Sequence, residues 1–220
     1  DSEVTKSITL YAKWTEEVSD KDEDKDDEKD DSTTEWTNPY SDVAKDAWYY
    51  EDVKFATEND LMKGVSEKEF APNAQLTRAM LVTIIYRNEG EPDVKGSIAF
   101  TDVEKGSWYE KAVIWAVENG IVMGVSDDKF APDVNITREQ IATIIFRYAN
   151  YKKLVLDNNN ADISKFADAD KISEYAVDAM KYVTSAGIIN GKTETTLNPG
   201  DNATRAEIAA ILHRFISLNK

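Results

Sequence analysis

Cysteine is absent from this sequence of 220 residues, and its absence excludes several kinds of chemistry. Without thiols the chain has no disulfide, no thiolate metal site and no cysteine nucleophile. Histidine is nearly absent too, since His213 is the single one. We predict that His213 is a surface residue near the end of a helix, where a cation suits the dipole. A Ser-His-Asp triad built on it would need a geometry that nothing in the sequence indicates.

Long apolar runs and an excess of positive charge are also missing. No run approaches the roughly 18–20 apolar residues that cross a bilayer, and no signal peptide is visible. The abrupt start at Asp1 leads us to expect a fragment of a longer protein. The formal net charge of −16 argues against a nucleic-acid partner, because proteins that bind nucleic acids carry a basic footprint.

Acidic residues are plentiful and are concentrated at the start of the chain. Residues 1–39 hold 14 Asp and Glu against 5 Lys and Arg, while residues 40–220 hold 28 against 21. No pair of acids stands out as the two carboxylates that a glycosidase needs across its cleft. We therefore predict that the chain is not an enzyme, with no catalytic residue, no metal site and no cofactor.

Two segments precede the main body of the chain. In residues 1–18, the stretch SITLYAKW at 7–14 alternates apolar and polar residues and predicts one β-strand. A single strand is not stable alone, so we assign it to the end of an upstream module. Residues 19–39 are charged and nearly free of apolar residues, which predicts a flexible acidic linker. A calcium loop would need a glycine and a terminal glutamate that this segment does not have at loop spacing.

From Tyr40 onward the sequence repeats itself. The first copy, YSDVAKDAWYYEDVKFATENDLMKGVSEKEFAPNAQLTRAMLVTIIYR, aligns at a constant offset of 60 with FTDVEKGSWYEKAVIWAVENGIVMGVSDDKFAPDVNITREQIATIIFR. A more divergent third copy, FADADKISEYAVDAMKYVTSAGIINGKTETTLNPGDNATRAEIAAILHR, follows at an offset that becomes 67 by Tyr175. We place the three repeats at residues 40–93, 94–156 and 157–220.

Each copy predicts two helices joined by a loop. Apolar residues at helical spacing place the first helix at about 49–59, 109–119 and 176–186, with a glycine as its usual stop. A loop with a proline follows, because proline blocks continuation of the helix. The second helix begins after a threonine, namely Thr77, Thr137 or Thr204. Two short helices cannot bury their apolar faces alone, so we predict an all-α fold of three tandem helix–loop–helix repeats packed together.

Every second helix begins with Thr-Arg. The threonine is the N-cap, and Gln140 or Glu207 three residues later completes a capping box that Met80 does not complete. An arginine at the first helical position opposes the helix dipole by roughly 0.3–1 kcal/mol. Because this penalty recurs three times, we predict that each of these arginines contacts an anion. The arginines are Arg78, Arg138 and Arg205. Two alternatives remain open, a carboxylate from a neighbouring copy or an external ligand, since both suit the arginine fork.

The combined pattern resembles the S-layer homology domain, in three tandem copies over residues 40–220. The matching elements are [FY]-x-D-V, a tryptophan about six residues on, A-x-E-N-G-I, G-x-x-x-x-x-F-x-P and T-R-x-x. The third copy departs from this pattern with FADA, Tyr175 and Leu197. Residues 7–14 resemble, more weakly, the closing strand of the Listeria–Bacteroides type repeat.

The resemblance implies a pseudo-threefold, three-pronged bundle with grooves between the repeats. It implies a location outside the cell, at the cell wall or S-layer. There the family tethers proteins non-covalently to a secondary cell-wall polysaccharide of Gram-positive-type bacteria, a sugar that carries a pyruvate ketal. The carboxylate partners would be Arg78, Arg138 and Arg205. The glycines that would let a sugar approach are Gly64, Gly124 and Gly191.

Two further sets of residues recur in the three copies. The aromatic set is either a sugar-stacking face or packing at the prong: Trp48, Trp108 and Tyr175. The acidic set is predicted to cap the first turn of each first helix: Asp42, Asp102 and Asp168. The alternative function is an assembly scaffold of a surface layer, although we expect a monomer in isolation, with a lattice possible in the full-length protein. We also expect Arg138→Ala to weaken binding without lowering thermal stability much.

Overall fold

The computed structural model describes residues 36–154 and 162–218. The predicted strand at 7–14 and most of the predicted linker lie outside these residues. The described residues form six α-helices, two short 3-10 turns and no strand. The helices are α1 (Tyr50–Glu58), α2 (Arg78–Asn88), α3 (Glu110–Glu118), α4 (Arg138–Tyr151), α5 (Val177–Ser185) and α6 (Arg205–Ser217). The 3-10 turns at Ala169–Lys171 and Glu174–Ala176 precede α5.

The prediction of one helix pair in each repeat is confirmed. The first helices end where the chain enters the left-handed region, at Gly120 (φ +67°) and Gly187 (φ +68°). In the first repeat Asp60 takes this position with φ +54°. The stop is therefore conformational, and aspartate can replace glycine there because its short polar side chain tolerates the left-handed region.

The second helices start as their capping residues predict. The hydroxyl oxygens of Thr77, Thr137 and Thr204 each accept a hydrogen bond from the amide three residues on. The capping box is complete with Gln140 in α4 and Glu207 in α6. In α2 the corresponding residue is Met80, whose side chain cannot reach back as a hydrogen-bond acceptor, so this helix has half of the cap.

The helices pack between repeats, each second helix against the first helix of the next repeat. The packed pairs are α2 with α3, α4 with α5, and α6 with α1. Each pair contains one contact between rings at the same repeat position: Tyr86 with Trp115 at 5.6 Å, Phe146 with Tyr182 at 5.0 Å, and His213 with Phe55 at 4.1 Å. Because the third repeat returns to the first, these contacts close a cycle. The three-pronged, pseudo-threefold shape stays a prediction.

His213 lies near the end of α6 as predicted, but its side chain is half-buried because it belongs to the contact that closes this cycle. Its ring stacks on Phe55, and Nδ1 lies 2.8 Å from Oδ1 of Asp52. The side chain of His213 is 32% exposed and that of Asp52 is 15% exposed. An aromatic position in the cycle is thus occupied by a histidine that gains a carboxylate neighbour.

Three backbone segments meet just before the second helices. The amide of Leu76 donates to the carbonyl of Ala203, that of Ala203 to Ile136, and that of Ile136 to Leu76, at 2.9 to 3.2 Å. Each bond joins two repeats, and the three together form a closed triangle. This triangle fixes the starts of α2, α4 and α6 relative to one another, and it therefore positions the Thr-Arg residues that follow.

The core repeats with the sequence. Phe70, Phe130 and Leu197 share one repeat position and are completely buried. Leucine thus replaces phenylalanine in the divergent third copy without opening the core. The loops that carry these residues are held by the same burial, and their carbonyl groups become part of the site described next.

Candidate functional site

Three grooves lie between the repeats, with cavity volumes of about 230, 350 and 370 Å³. We name them A, B and C after the repeat that provides their glycine. Groove A is lined by Gly64, Arg205, Arg87 and Trp108. Groove B is lined by Gly124, Arg78, Arg147 and Tyr175. Groove C is lined by Gly191, Arg138, Arg214 and Trp48.

Each groove draws residues from all three repeats. In groove B the Thr-Arg arginine comes from the first repeat, the glycine and one helical wall from the second, and the aromatic residue from the third. The same order holds in grooves A and C with the repeats exchanged. The structure thus brings together all nine binding residues predicted from the sequence, three to a groove.

The Thr-Arg arginines form the floor of the grooves and bind the backbone of the next repeat. Nε of Arg138 donates to the carbonyl of Leu197 at 2.8 Å, and Nη2 donates to that of Asn190 at 2.7 Å. Arg78 makes the equivalent pair at 2.9 and 3.2 Å, and Arg205 at 2.8 and 2.6 Å. Arg78 and Arg138 are only 5% and 4% exposed. These side chains therefore lock one repeat to the next.

This arrangement explains why an arginine is tolerated at a helix start. The amides of Arg138 and Glu139 both donate to carbonyls of the third repeat, those of Asp201 and Pro199, at 2.9 Å. Carbonyl oxygens thus satisfy the helix amides and also surround the guanidinium group. The internal partner is a set of peptide carbonyls and not the carboxylate considered from the sequence. Burial lowers the pKa of Arg138, but arginine is charged at any physiological pH.

The recurring aspartates hold the loops that the arginines bind. The carboxylate of Asp102 accepts from the amides of Phe130 at 2.9 Å and Ala131 at 2.8 Å. The carbonyl of the same Phe130 accepts from Arg78, so one residue joins the two charged side chains. Asp42 and Asp168 hold their own loops in the same way.

The prediction that these aspartates cap the first helices is wrong. Helix α3 begins after Tyr109 without a side-chain cap, and the carboxylate of Asp102 is bound to the loop instead. Burial alone would raise the pKa of Asp102, but the amide hydrogen bonds and Lys129 outweigh it and lower that pKa below its ordinary value. The pKa of Asp168 is lowered for the corresponding reasons.

The three predicted glycines are required by their own loops. A β-carbon on Gly124 would lie 2.2 Å from the carbonyl oxygen of Ser126 and 2.6 Å from that of Lys129. Gly64 and Gly191 meet equivalent oxygens at 2.4 and 2.3 Å. Space for the loop therefore accounts for each glycine without a ligand. Their backbone still lines the grooves, so approach by a sugar stays a prediction.

The predicted aromatic residues stand at the rim of the grooves. Trp48, Trp108 and Tyr175 are 64%, 59% and 56% exposed. Trp108 contacts Tyr109 edge to face, with ring centroids 5.1 Å apart, which leaves one face uncovered by that neighbour. Tyr175 differs because its hydroxyl donates to Glu139 at 3.1 Å, and burial together with this carboxylate raises the pKa of Tyr175 to about 12.

A second arginine in each groove was missed from the sequence. Arg87, Arg147 and Arg214 lie on the helical walls of grooves A, B and C, and they follow the same offsets of 60 and 67. They end the repeated copies as YR, FR and HR, which was the available signal. A cation in the second half of a helix is favoured by the helix dipole, so these arginines gave no sign of an additional role.

The repeat architecture and the shared grooves define a helical-repeat binding module. A family model described as the S-layer homology domain matches residues 39–79, 99–142 and 165–209. These segments make up more than half of the chain, which belongs to the S-layer homology family.

Similar proteins include both enzymes and surface proteins. The chain is 32% identical over 184 residues to an amylopullulanase of Thermoanaerobacterium thermosulfurigenes, covering 83% of this chain and 10% of that protein. It is 31% identical to the surface-layer 125 kDa protein of Lysinibacillus sphaericus, covering 81% and 14%. It is 26% identical to a cellulosome-anchoring protein of Acetivibrio thermocellus, covering 81% and 39%.

These matches identify residues 39–209 as a cell-surface anchoring region, located outside the cell at the cell wall. The chain spans between about a tenth and two fifths of the length of these relatives. The relative named as an enzyme, the amylopullulanase, thus contains much that this chain does not cover. In residues 36–154 and 162–218 no helix has the length and apolar character to cross a membrane, and no cluster of acidic or histidine side chains is suited to a metal ion.

Proposed function

We propose that grooves A, B and C bind a secondary cell-wall polysaccharide that carries carboxylate groups as pyruvate ketals. Binding of this kind would anchor the chain to the wall without a covalent bond. The observation that carries the proposal is the recurrence, in all three grooves, of two arginines and an exposed aromatic ring contributed by three different repeats. Such a set matches an anionic sugar, because guanidinium groups bind carboxylates and aromatic faces stack on sugar rings.

The two arginines of a groove would have different roles. In Arg138 the carbonyls occupy Nε and Nη2, and Nη1 makes no hydrogen bond to the described residues. This nitrogen is available to a ligand at a fixed position, since the side chain is buried. Arg214 is half-buried on the helical wall, with one 3.4 Å hydrogen bond to the carbonyl of Ile188, and can adjust to the ligand.

The strong negative charge of the chain favours recognition by local contacts. An anionic protein gains no long-range attraction toward an anionic polymer, and charges on its surface are screened within about 8–10 Å at working salt. The arginines of a groove lie inside that distance from a bound carboxylate. The proposal assigns no catalysis to this chain.

Co-sedimentation with purified cell-wall sacculi tests the proposal. We expect the chain to bind sacculi and to lose binding after the wall polysaccharide has been chemically removed. A triple variant, Arg87→Ala with Arg147→Ala and Arg214→Ala, should bind intact sacculi weakly while keeping its helical circular dichroism. Undiminished binding to stripped sacculi would contradict the proposal.

The alternative function is an assembly scaffold, which would agree with the name of the surface-layer relative. We infer that the isolated chain is a monomer, because the proposed grooves need no second copy. Light scattering without polysaccharide distinguishes the two functions: concentration-dependent oligomers would favour the scaffold.

A further inference from the structure

The helical walls of the three grooves differ in charge at one position. The third residue of each second helix lines a groove, and it is Met80 in groove A, Gln140 in groove B and Glu207 in groove C. Glu207 is the one carboxylate among the residues that line the three grooves of the described chain. An apolar, an amide and an anionic side chain thus occupy equivalent places.

Glu207 is held in place by two partners. One carboxylate oxygen accepts from the amide of Thr204 at 3.2 Å, and the other pairs with Lys192, which also lines groove C. The side chains of Lys192 and Glu207 are 30% and 17% exposed, so the pair is partly withdrawn from water. Lys192 and Glu207 therefore neutralise each other. The cations of groove C that remain for a ligand are Arg138 and Arg214.

Groove A has the opposite balance. Its lining includes three cations, Arg205, Arg87 and Lys63, and no acid. Arg87 lies 3.6 Å from Glu91 and Lys63 lies 3.8 Å from Asp60. All four of these side chains are at least 44% exposed, and exposed pairs of this kind contribute little and exchange readily.

Groove B is intermediate. Its wall has the two arginines Arg78 and Arg147 and the neutral amide of Gln140. Beside the glycine it has Met123 and Val125, at the places where groove C has Asn190 and Lys192. It has one cation fewer than groove A and no acid in its lining, but the hydroxyl of its Tyr175 donates to the carboxylate of Glu139 at 3.1 Å.

We infer that the three grooves bind a carboxylate-bearing sugar with unequal affinity, groove A most tightly and groove C least tightly, and that Met80 and Glu207 set this order. The inference rests on the proposed function, because it assumes that the grooves receive an anionic sugar. The physical reason is direct. The carboxylate of Glu207 occupies Lys192 and lies in a partly buried wall. It therefore withdraws one cation from the ligand and repels a carboxylate bound a few ångströms away, and burial limits the screening by salt.

The molecule contains its own reporters for the test. The indole N–H of Trp108 reports on groove A and that of Trp48 on groove C, while the amides of Gly64, Gly124 and Gly191 report on all three. We would titrate the ¹⁵N-labelled chain with a methyl hexoside that carries a 4,6-O-pyruvate ketal. The Trp108 and Gly64 signals should reach half-saturation first and the Trp48 and Gly191 signals last. The same hexoside without the ketal should give much weaker changes.

Reciprocal substitutions test the assignment to the wall residue. Met80→Glu should weaken groove A by about threefold to tenfold, and Glu207→Gln should strengthen groove C by a similar factor. Met80→Gln is the matched control, since it provides the cap without the charge, and it should change the affinity of groove A much less than Met80→Glu does. Glutamine at 140 already completes a capping box in this chain, so neither glutamine variant should disturb its helix start.

The outcomes separate the inference from the proposed function. If no groove responds to the ketal sugar at millimolar concentration, both are wrong. If the grooves respond with equal affinity, or if Met80→Glu and Glu207→Gln leave the order unchanged, the unequal grooves are refuted and the proposed function stands.

Discussion

The floor and the helical wall of each groove both contain an arginine, but the two arginines are held differently. At the floor, Arg138 is 4% exposed and joined to two carbonyls of the next repeat. At the rim, Trp48 is 64% exposed, and on the helical wall Arg214 is half-buried with one long hydrogen bond. The floor arginine thus joins two repeats, whereas the wall arginine is the one that we propose for recognition of the ligand. Substitutions at the floor should change stability, whereas those at the wall and rim should change binding.

The largest effect is expected from Arg138→Ala at the floor of groove C. Removal of the side chain leaves the carbonyls of Leu197 and Asn190 without their donor, at about 1–3 kcal/mol each. We expect the free energy of unfolding to fall by roughly 2–4 kcal/mol and the melting temperature by roughly 5–15 °C. The expectation from the sequence, that stability changes little, does not fit these bonds. Thermal unfolding followed by circular dichroism measures the change.

Two controls sharpen this result. Arg138→Lys keeps the charge but lacks the planar fork that reaches both carbonyls. Its free energy of unfolding should therefore lie between that of the wild type and that of the alanine variant. Arg214→Ala removes a charge from the wall of the same groove. If Arg138→Ala melts at the wild-type temperature, the floor does not lock the repeats together.

The next largest effect is expected from Gly124→Ala. The new β-carbon would lie 2.2 Å from the carbonyl oxygen of Ser126, and this backbone atom cannot move without shifting the loop. We expect a loss of about 1–3 kcal/mol, as for other overpacked sites. Gly200→Ala is the matched control, because a β-carbon there meets nothing within 4 Å. Chemical denaturation of both variants makes the comparison, and equal stability would show that the loop adapts.

Acid should destabilise the chain by protonating the aspartates that hold the loops under the grooves. The pKa values of Asp102 and Asp168 are lowered in the folded chain, so their contribution to stability is fully present above the ordinary aspartate pKa. It is lost as the pH falls below about 3.8 and through the folded values. Denaturation midpoints measured from pH 6 to pH 2.5 should decline in that window. Asp102→Asn should be less stable at pH 6 and decline less steeply, and an unchanged slope would contradict the role given to this carboxylate.

The sequence predicted the limits of the helices better than it predicted the hydrogen-bond partners of the charged side chains. Helix limits follow local signals, such as the threonine cap and the glycine stop, and these were confirmed. The partner of Arg138 could not be predicted, because a peptide carbonyl has no residue type to recognise. Asp102 lies 28 residues before Phe130, and the same spacing separates Asp42 from Phe70. Spacing alone does not show whether such an aspartate caps a helix or binds the amides of a loop.

His213 shows a signal that was present and misread. His213 aligns with Phe146 at the offset of 67, and Phe146 aligns with Tyr86 at the offset of 60. Phe146 and Tyr86 both pack against the next repeat. The alignment therefore predicts a packed ring, whereas the dipole argument considered the residue alone. In a repeat protein, equivalent positions are better evidence for burial than the character of a single side chain.

The smallest effect on stability is expected from Arg147→Ala in the wall of groove B. Arg147 is half-buried, and its pKa is lowered by burial, with no ion pair among the described residues. Surface substitutions of this kind change the free energy of unfolding by less than about 0.5 kcal/mol. Binding to sacculi should nevertheless fall, because the groove loses one of its two cations. Sedimentation and thermal unfolding of one preparation measure both, and a loss of stability without a loss of binding would place Arg147 with the floor and not with the binding wall.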